Sequence, residues 1–184
     1  LHGCRIGVPG LHTTACVLLQ MALPCCVPVA MAFERIPEAV QQGQVAAGVV
    51  IHEWQLTYQD AGLLPVMDLG VWWQQQVKLP LPLGVNAIKR SLGMETARRA
   101  TTLLKHSLLY WFAHQEEAVA YAMRYGRGTD AVRAKQFIAM YVNEESLTIS
   151  HPCREALREF FKRAAVTGLI PRVPLLEIIE PLAG

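Results

Sequence analysis

Short apolar runs, each bounded by Pro, Gly or polar residues, recur through the first half of the chain. Continuous runs of this length are typical of strands that are buried on both faces of a parallel sheet. Stretches with helical spacing separate the runs at residues 15–21 and 36–42. The strands that this pattern predicts cover residues 4–8, 29–33, 46–51, 64–69 and 81–88. The alternation of strands and helices predicts an α/β fold.

The second half of the chain has a helical pattern. Its clearest helix covers residues 154–166, where Leu157, Phe160 and Ala164 recur at helical spacing and charged side chains fill the opposite face. Two further helices are predicted at residues 94–112 and 129–141. The second half is therefore predicted to be mostly helical.

Charge is distributed unevenly between these two halves. Only eight charged side chains fall in residues 1–88, so we expect that segment to be largely buried. We therefore predict two parts, with residues 1–88 forming an α/β lobe and residues 89–184 forming a helical return.

Composition excludes several classes of protein. The chain has 17 basic and 15 acidic residues, and a net charge of +2 leaves no electrostatic footprint for nucleic acid. The uncharged stretch 6–33 is interrupted by Pro, Gly and polar residues, so it lacks the roughly 20 apolar residues of a spanning helix. We expect no nucleic-acid partner and no stable membrane insertion. The five cysteines form no C-x-x-C pair, and we expect them to be small buried hydrophobes in a reducing compartment.

The turn after the first predicted strand is a candidate anion site. A Pro-Gly turn at residues 9–10 leads into a helix that starts with the hydroxyl residues Thr13 and Thr14. The free amides of a first helical turn favour a phosphate or a carboxylate. The alternative is that Thr13 or Thr14 only caps its own helix.

His52 is the candidate catalytic residue. It directly follows the apolar run 46–51, which places it at the carboxyl end of a strand, where open α/β sheets bind their ligands. An imidazole can accept a proton near neutral pH, as a general base must. The alternative is a histidine whose ring only makes a structural hydrogen bond at the strand end.

A third candidate is the tryptophan pair in the segment D-L-G-V-W-W. Adjacent residues cannot share one face of a helix, so one of Trp72 and Trp73 could contact a ligand or another lobe. The alternative is core packing with one ring at an interface. No Gly-rich phosphate loop, nucleophile elbow or metal-ligand spacing accompanies these candidates.

Four motifs in order carry a resemblance to a known family. They read V-P-G-x-H-T-T-A, A-G-V-V-I-H-E, T-Y-x-x-x-G-L-x-x-V-x-D-L-G-x-W-W and L-P-L-P-L-G. In this order they resemble the 1,4-dihydroxy-6-naphthoate synthase family of the futalosine route to menaquinone. The resemblance extends over nearly the whole chain, from Arg5 to the region of Gly168.

The resemblance implies a fold, a reaction and a set of site residues. The fold is type II periplasmic-binding-protein-like, with residues 1–88 as its second lobe and residues 89–184 as a hinge return and helical C-terminal part. The reaction is carbon–carbon cleavage of cyclic dehypoxanthine futalosine to 1,4-dihydroxy-6-naphthoate and dihydroxyacetone by a cytoplasmic lyase. By motif position His52 is the general base, and Thr14 and Ala15 bind the substrate carboxylate. No metal or organic cofactor is implied.

The chain also departs from the family pattern. Family members carry a first lobe with a substrate-contacting Ser ahead of these motifs, so we expect an N-terminally incomplete chain whose missing lobe would complete the cleft. We expect the 184-residue chain alone to be inactive and only marginally soluble. Five positions carry other residues than the family pattern, and we expect these differences to affect the orientation of the substrate more than the general base. They are Leu11, Trp54, Gln55, Leu56 and Gln74.

Three other interpretations stay open on the sequence. A binding protein of the same fold would capture a small carboxylate without chemistry. Chorismate dehydratase, a related enzyme of the same pathway, shares the fold. A degenerate copy without activity would also fit the altered motif positions.

Overall fold

Three parallel strands form a sheet in the first part of the chain. The strands are β1 (Arg5–Val8), β2 (Val27–Ala30) and β3 (Ala47–Gly48). The order across the sheet is β2-β1-β3, with Arg5 aligned to Val27 and Ile6 aligned to Ala47. Because all three strands run in the same direction, their C-terminal ends meet at one side of the sheet, which we call the carboxyl edge.

The computed structural model describes residues 1–52, 54–125 and 131–182. The chain divides into two units. The first unit combines Leu1–Leu83 with Pro152–Pro174, and the second combines Gly84–His151 with Leu175–Gly184. The helices that the described residues form are α1 (Thr14–Ala22), α2 (Ile36–Gln41), α3 (Trp54–Thr57), α4 (Leu69–Val77), α5 (Gly93–Ala113), α6 (Gln115–Met123), α7 (Ala131–Tyr141), α8 (Glu144–Leu147) and α9 (His151–Val166).

Helix α1 packs on both sides and joins two core clusters of the first unit. One cluster lies between α1 and the sheet and contains Ile6, Val8, Cys16, Leu19 and Cys26. The other places Leu18 of α1 against Trp73 of α4 and Phe160 of α9. Since neighbouring residues of α1 point into different clusters, the helix holds the sheet, α4 and α9 together.

Trp73 is the largest fully buried side chain of the described residues. Its indole Nε1 donates a hydrogen bond to the Pro80 carbonyl oxygen at 3.0 Å. The ring lies 5.9 Å from that of Phe160, centroid to centroid. The adjacent Trp72 is half-buried and packs against the same cluster. Trp73 therefore packs in the core, and a contact of one ring with a ligand or another lobe stays a prediction.

In the second unit, the chain between Leu175 and Leu182 is bonded to the start of the helical part. Arg90 forms an ion pair with Glu177, and the Leu182 amide donates to Thr102 Oγ1 at 2.9 Å. No helix in the described part of the chain is both long and apolar enough to cross a membrane.

The α/β class is confirmed, but the strands differ from the sequence prediction. Runs 4–8, 29–33 and 46–51 each contribute a strand, although β2 begins two residues earlier and β3 has only two residues. The predicted strands at 64–69 and 81–88 are wrong.

Local chemistry explains both wrong strands. Asp68 caps α4, because its Oδ1 accepts from the amides of Gly70 and Val71 at 2.8 and 3.0 Å. The run 81–88 begins within Leu79-Pro80-Leu81-Pro82, whose two prolines lack the amide that a sheet ladder needs. The apolar side chains of these runs are also not all buried, and Leu64 is 86% exposed.

The helix predictions agree better with the structure. Predicted helices 15–21, 36–42, 94–112 and 154–166 correspond to α1, α2, α5 and α9 within a few residues. The helix predicted at 129–141 corresponds to α7, and its first two residues lie outside the described part of the chain.

The division of the chain differs from the predicted boundary at Lys89. The chain passes from the first unit to the second at Leu83 and Gly84, and Pro152–Pro174 returns to the first unit. The return is explained by Phe160, because this α9 side chain packs against Trp73 and Leu18. The assignment of residues 1–88 to a second lobe stays a prediction.

The close approach of α2 to β3 makes Gly48 sensitive to substitution. A Cβ added at Gly48 would overlap Cγ2 of Ile36 and would lie 3.2 Å from Cγ2 of Val40. We expect Gly48→Ala to lower the free energy of unfolding by about 1–3 kcal/mol through overpacking. Urea denaturation measures this, with Gly84→Ala as the control because a Cβ there meets nothing within 4 Å. Equal stability losses for the two variants would contradict the packing described here.

Candidate active site

The turn after β1 presents the start of α1 at the carboxyl edge. Thr13 is the N-cap: its Oγ1 accepts from the Cys16 amide at 3.2 Å and donates to the Gly10 carbonyl oxygen at 2.8 Å. Thr14 and Ala15 are the first two residues of the helix, so their amides have no acceptor within it. The helix dipole adds partial positive charge at this end, and the turn therefore suits a carboxylate.

His52 lies at the same edge, three residues after the last hydrogen bond of β3 to β1. That bond runs from the Val49 amide to the Gly7 carbonyl oxygen at 2.8 Å. His52 has a φ of 56°, in the left-handed region that non-glycine residues seldom occupy. Its carbonyl oxygen accepts a hydrogen bond from the Gln55 amide at 3.1 Å, and this bond lies at the start of α3. The side chain is exposed, so the imidazole is accessible to a ligand.

Phe33 completes the described geometry and was missed by the sequence analysis. Its ring centroid lies 4.7 Å from that of His52, with the ring planes at 60°. Phe33 falls inside the predicted strand 29–33, whereas it begins a 3₁₀ turn, Phe33–Arg35, just beyond β2. The available signal was its position: an aromatic residue after an apolar run lies at the same edge as His52.

The three strand ends therefore bring three kinds of group to one edge. The end of β1 supplies the Thr14 and Ala15 amides, the end of β3 supplies His52 and the end of β2 supplies Phe33. β1 is the central strand, so the loop that leads to the helix start leaves the sheet between the loop that carries Phe33 and the loop that carries His52. An anion held by the amides would lie at the edge that also carries the imidazole.

Comparison with known proteins assigns the family. The family model described as menaquinone biosynthesis matches residues 1–166. The chain belongs to the menaquinone biosynthesis family. The family match includes β1, α1 and β3, and with them every residue of the candidate site.

The relatives that the chain matches are longer than the chain itself. It is 37% identical over 174 residues to a 1,4-dihydroxy-6-naphtoate synthase of Thermus thermophilus, covering 95% of this chain and 64% of the relative. A protein of the same name from Streptomyces coelicolor is 34% identical over 177 residues, covering 93% and 63%. The crystal structure of an Archaeoglobus fulgidus protein matches with a TM-score of 0.89 and 45% identity, covering 92% and 64%. The chain thus spans slightly less than two thirds of the length of these relatives.

The positions that depart from the expected motifs of the menaquinone family differ in their surroundings. Leu11 is exposed in the turn between β1 and α1. Trp54 and Gln55 are half-buried at the start of α3. Leu56, the next residue of this helix, is exposed. Gln74 is exposed on α4. Leu11 and the α3 residues thus neighbour the site along the chain, whereas Gln74 belongs to the helix that carries Trp73.

All five cysteines lie in the first unit, with Cys16 on α1 and Cys153 on α9. Cys16 and Cys26 are buried in the core, and burial raises the pKa of both thiols. Cys25 is exposed, so the expectation that all five are buried is wrong. Among the described residues, no three His, Cys, Asp or Glu side chains lie together as a metal site requires.

The two threonines at the start of α1 have separable roles. Thr13→Ala removes the acceptor for the Cys16 amide, so we expect it to lower the free energy of unfolding by about 0.5–2 kcal/mol. Thr14→Ala leaves this cap in place, and we expect a change within about 0.5 kcal/mol. Urea denaturation of both variants measures the difference. A larger loss for Thr14→Ala would contradict the assignment of Thr13 as the cap.

Proposed function

We propose that this chain carries the carboxylate-binding and proton-accepting part of a 1,4-dihydroxy-6-naphthoate synthase. This lyase would convert cyclic dehypoxanthine futalosine to 1,4-dihydroxy-6-naphthoate and dihydroxyacetone in menaquinone biosynthesis. The observation that carries the proposal is the meeting of an anion-binding helix start and an exposed histidine at one sheet edge. Family membership and the printed names of two relatives support it.

The helix start would orient the substrate. The Thr14 and Ala15 amides would donate to the substrate carboxylate, and the helix dipole would strengthen the attraction. Both amides belong to the first turn of a helix that is anchored in two core clusters, so their directions are set before the ligand arrives. Such preorganisation lets binding energy contribute to alignment of the reacting bond with His52.

His52 would then accept a proton from the bound cyclic substrate. The electron pair released by that step breaks the carbon–carbon bond to the three-carbon fragment, which leaves as dihydroxyacetone, and the remaining ring aromatises. The proton returns to the products, so the atoms of the substrate equal those of the two products. The step requires no oxidant or reductant, and the imidazole is suited to both proton transfers.

The proposed fold is type II periplasmic-binding-protein-like. Residues 1–88 would form its second lobe, with the carboxyl edge as one wall of the substrate cleft. The other wall would come from the part of the relatives' length that this chain does not match. This arrangement agrees with the general rule that open α/β sheets bind ligands beyond the carboxyl ends of their strands.

A chimeric enzyme tests the role of His52. This chain replaces the matching 174-residue segment of the Thermus thermophilus relative, and product release from cyclic dehypoxanthine futalosine is followed. We expect His52→Asn to lower kcat by about 10²- to 10⁴-fold, the contribution typical of a general base. His106→Asn is the matched control, because His106 is exposed on α5 and far along the chain from the site.

Each alternative predicts a different result in the same assay. Unchanged turnover by His52→Asn would refute His52 as the base. Turnover of chorismate in place of the cyclic futalosine derivative would identify a chorismate dehydratase. Saturable carboxylate binding without any product would identify a binding protein.

A further inference from the structure

We propose that Phe33 is a positioning residue that holds the His52 imidazole in its working orientation at the carboxyl edge. The inference rests on the proposed function, in which His52 accepts the proton. Phe33 itself is given no chemical step. Its role is to restrict the directions in which the His52 ring nitrogens point.

The contact joins the ends of two strands that do not pair with each other. Phe33 follows β2 and His52 follows β3, and both strands flank β1. The ring centroids are 4.7 Å apart with the planes at 60°, within the edge-to-face geometry that aromatic rings favour. The contact therefore spans the end of the central strand, beside the start of α1.

The backbone on each side of the contact is held by the sheet. The Met31 amide donates to the Val8 carbonyl oxygen at 3.0 Å, which extends the β2 pairing to two residues before Phe33. On the other side, the amide of Val49, three residues before His52, donates to the Gly7 carbonyl oxygen. Both rings thus leave the sheet from segments that are tied to the same strand.

The backbone that follows Phe33 is held as well. The 3₁₀ turn Phe33–Arg35 is closed by a bond from the Arg35 amide to the Ala32 carbonyl oxygen at 2.9 Å. It leads directly into α2, whose first residue, Ile36, is fully buried. Phe33 is half-buried, whereas His52, which it contacts, is exposed.

A general base must keep a ring nitrogen within hydrogen-bond reach of the substrate. The contact with Phe33 restricts the two side-chain torsions of His52 and so narrows the orientations that the imidazole adopts. Phe33 belongs to neither core cluster that the structure describes, and its ring lies against the imidazole at the carboxyl edge.

Nuclear magnetic resonance on the chimeric enzyme tests the contact directly. In the unchanged chimera we expect nuclear Overhauser effects between the Phe33 ring protons and His52 Hδ2 or Hε1. In Phe33→Leu we expect the His52 ring resonances to lose their ring-current shift, whereas Phe33→Tyr keeps it. His106 resonances and the unfolding temperature serve as controls, since both should stay unchanged.

Kinetics in the chimeric enzyme test the consequence. We expect Phe33→Leu to lower kcat about tenfold or more with KM within about twofold, because a displaced base slows the chemical step more than binding. Phe33→Tyr should restore kcat. This split between kcat and KM, with rescue by the aromatic variant, would not follow from a general loss of stability.

The outcomes separate this inference from the proposed function. Absence of the Overhauser effects, or unchanged His52 resonances in Phe33→Leu, overturns the positioning role even if His52 is the base. Equal kcat for Phe33→Leu and the unchanged chimera also overturns it. Full turnover by His52→Asn overturns the proposed function instead, whatever the resonances show.

Discussion

Parallel pairing of β1 with a strand on each side is the constraint on which the rest of the site depends. β1 has only four residues and β3 two, yet the ladder continues beyond them through the amides of Met31 and Val49. This pairing brings three loops that are distant in sequence to one edge. An antiparallel neighbour would place its end at the opposite edge and separate the helix start from either ring.

Helix α1 links this edge to the stability of the first unit. Its first turn forms the candidate carboxylate site, while Leu18 and Leu19 in its second half pack into different clusters. The same helix therefore carries the amides of the candidate site and packs against Trp73, Phe160 and the sheet. Rigid support of this kind is what a binding site needs, because a helix that shifts would move both amides together.

The sequence was most informative where local pattern and tertiary packing agree. The runs 4–8 and 15–21 were predicted as strand and helix because apolar spacing, a Pro-Gly turn and hydroxyl residues all point to the same structure. The roles of Thr13 and Thr14 could not be separated in advance, since either can cap a helix and only the hydrogen bond to Cys16 decides.

Prediction failed where a local signal outweighed the apolar pattern. Asp68 caps α4 at the end of the run 64–69. Pro80 and Pro82, at the start of the run 81–88, lack the backbone amide that a strand needs as a hydrogen-bond donor. The position of Phe33 at the edge of His52 could be inferred from the apolar run, but the contact of the two rings could not, because it depends on where β2 ends and on a left-handed backbone at His52. An apolar pattern shows neither of these.

Titration of 1,4-dihydroxy-6-naphthoate onto the chimeric enzyme, followed by amide and imidazole resonances, tests whether the carboxyl edge is the ligand site. We expect saturable shifts at the Thr14 and Ala15 amides and at the His52 ring, with the α4 amides unchanged. Saturable binding that leaves these three groups unshifted would contradict it.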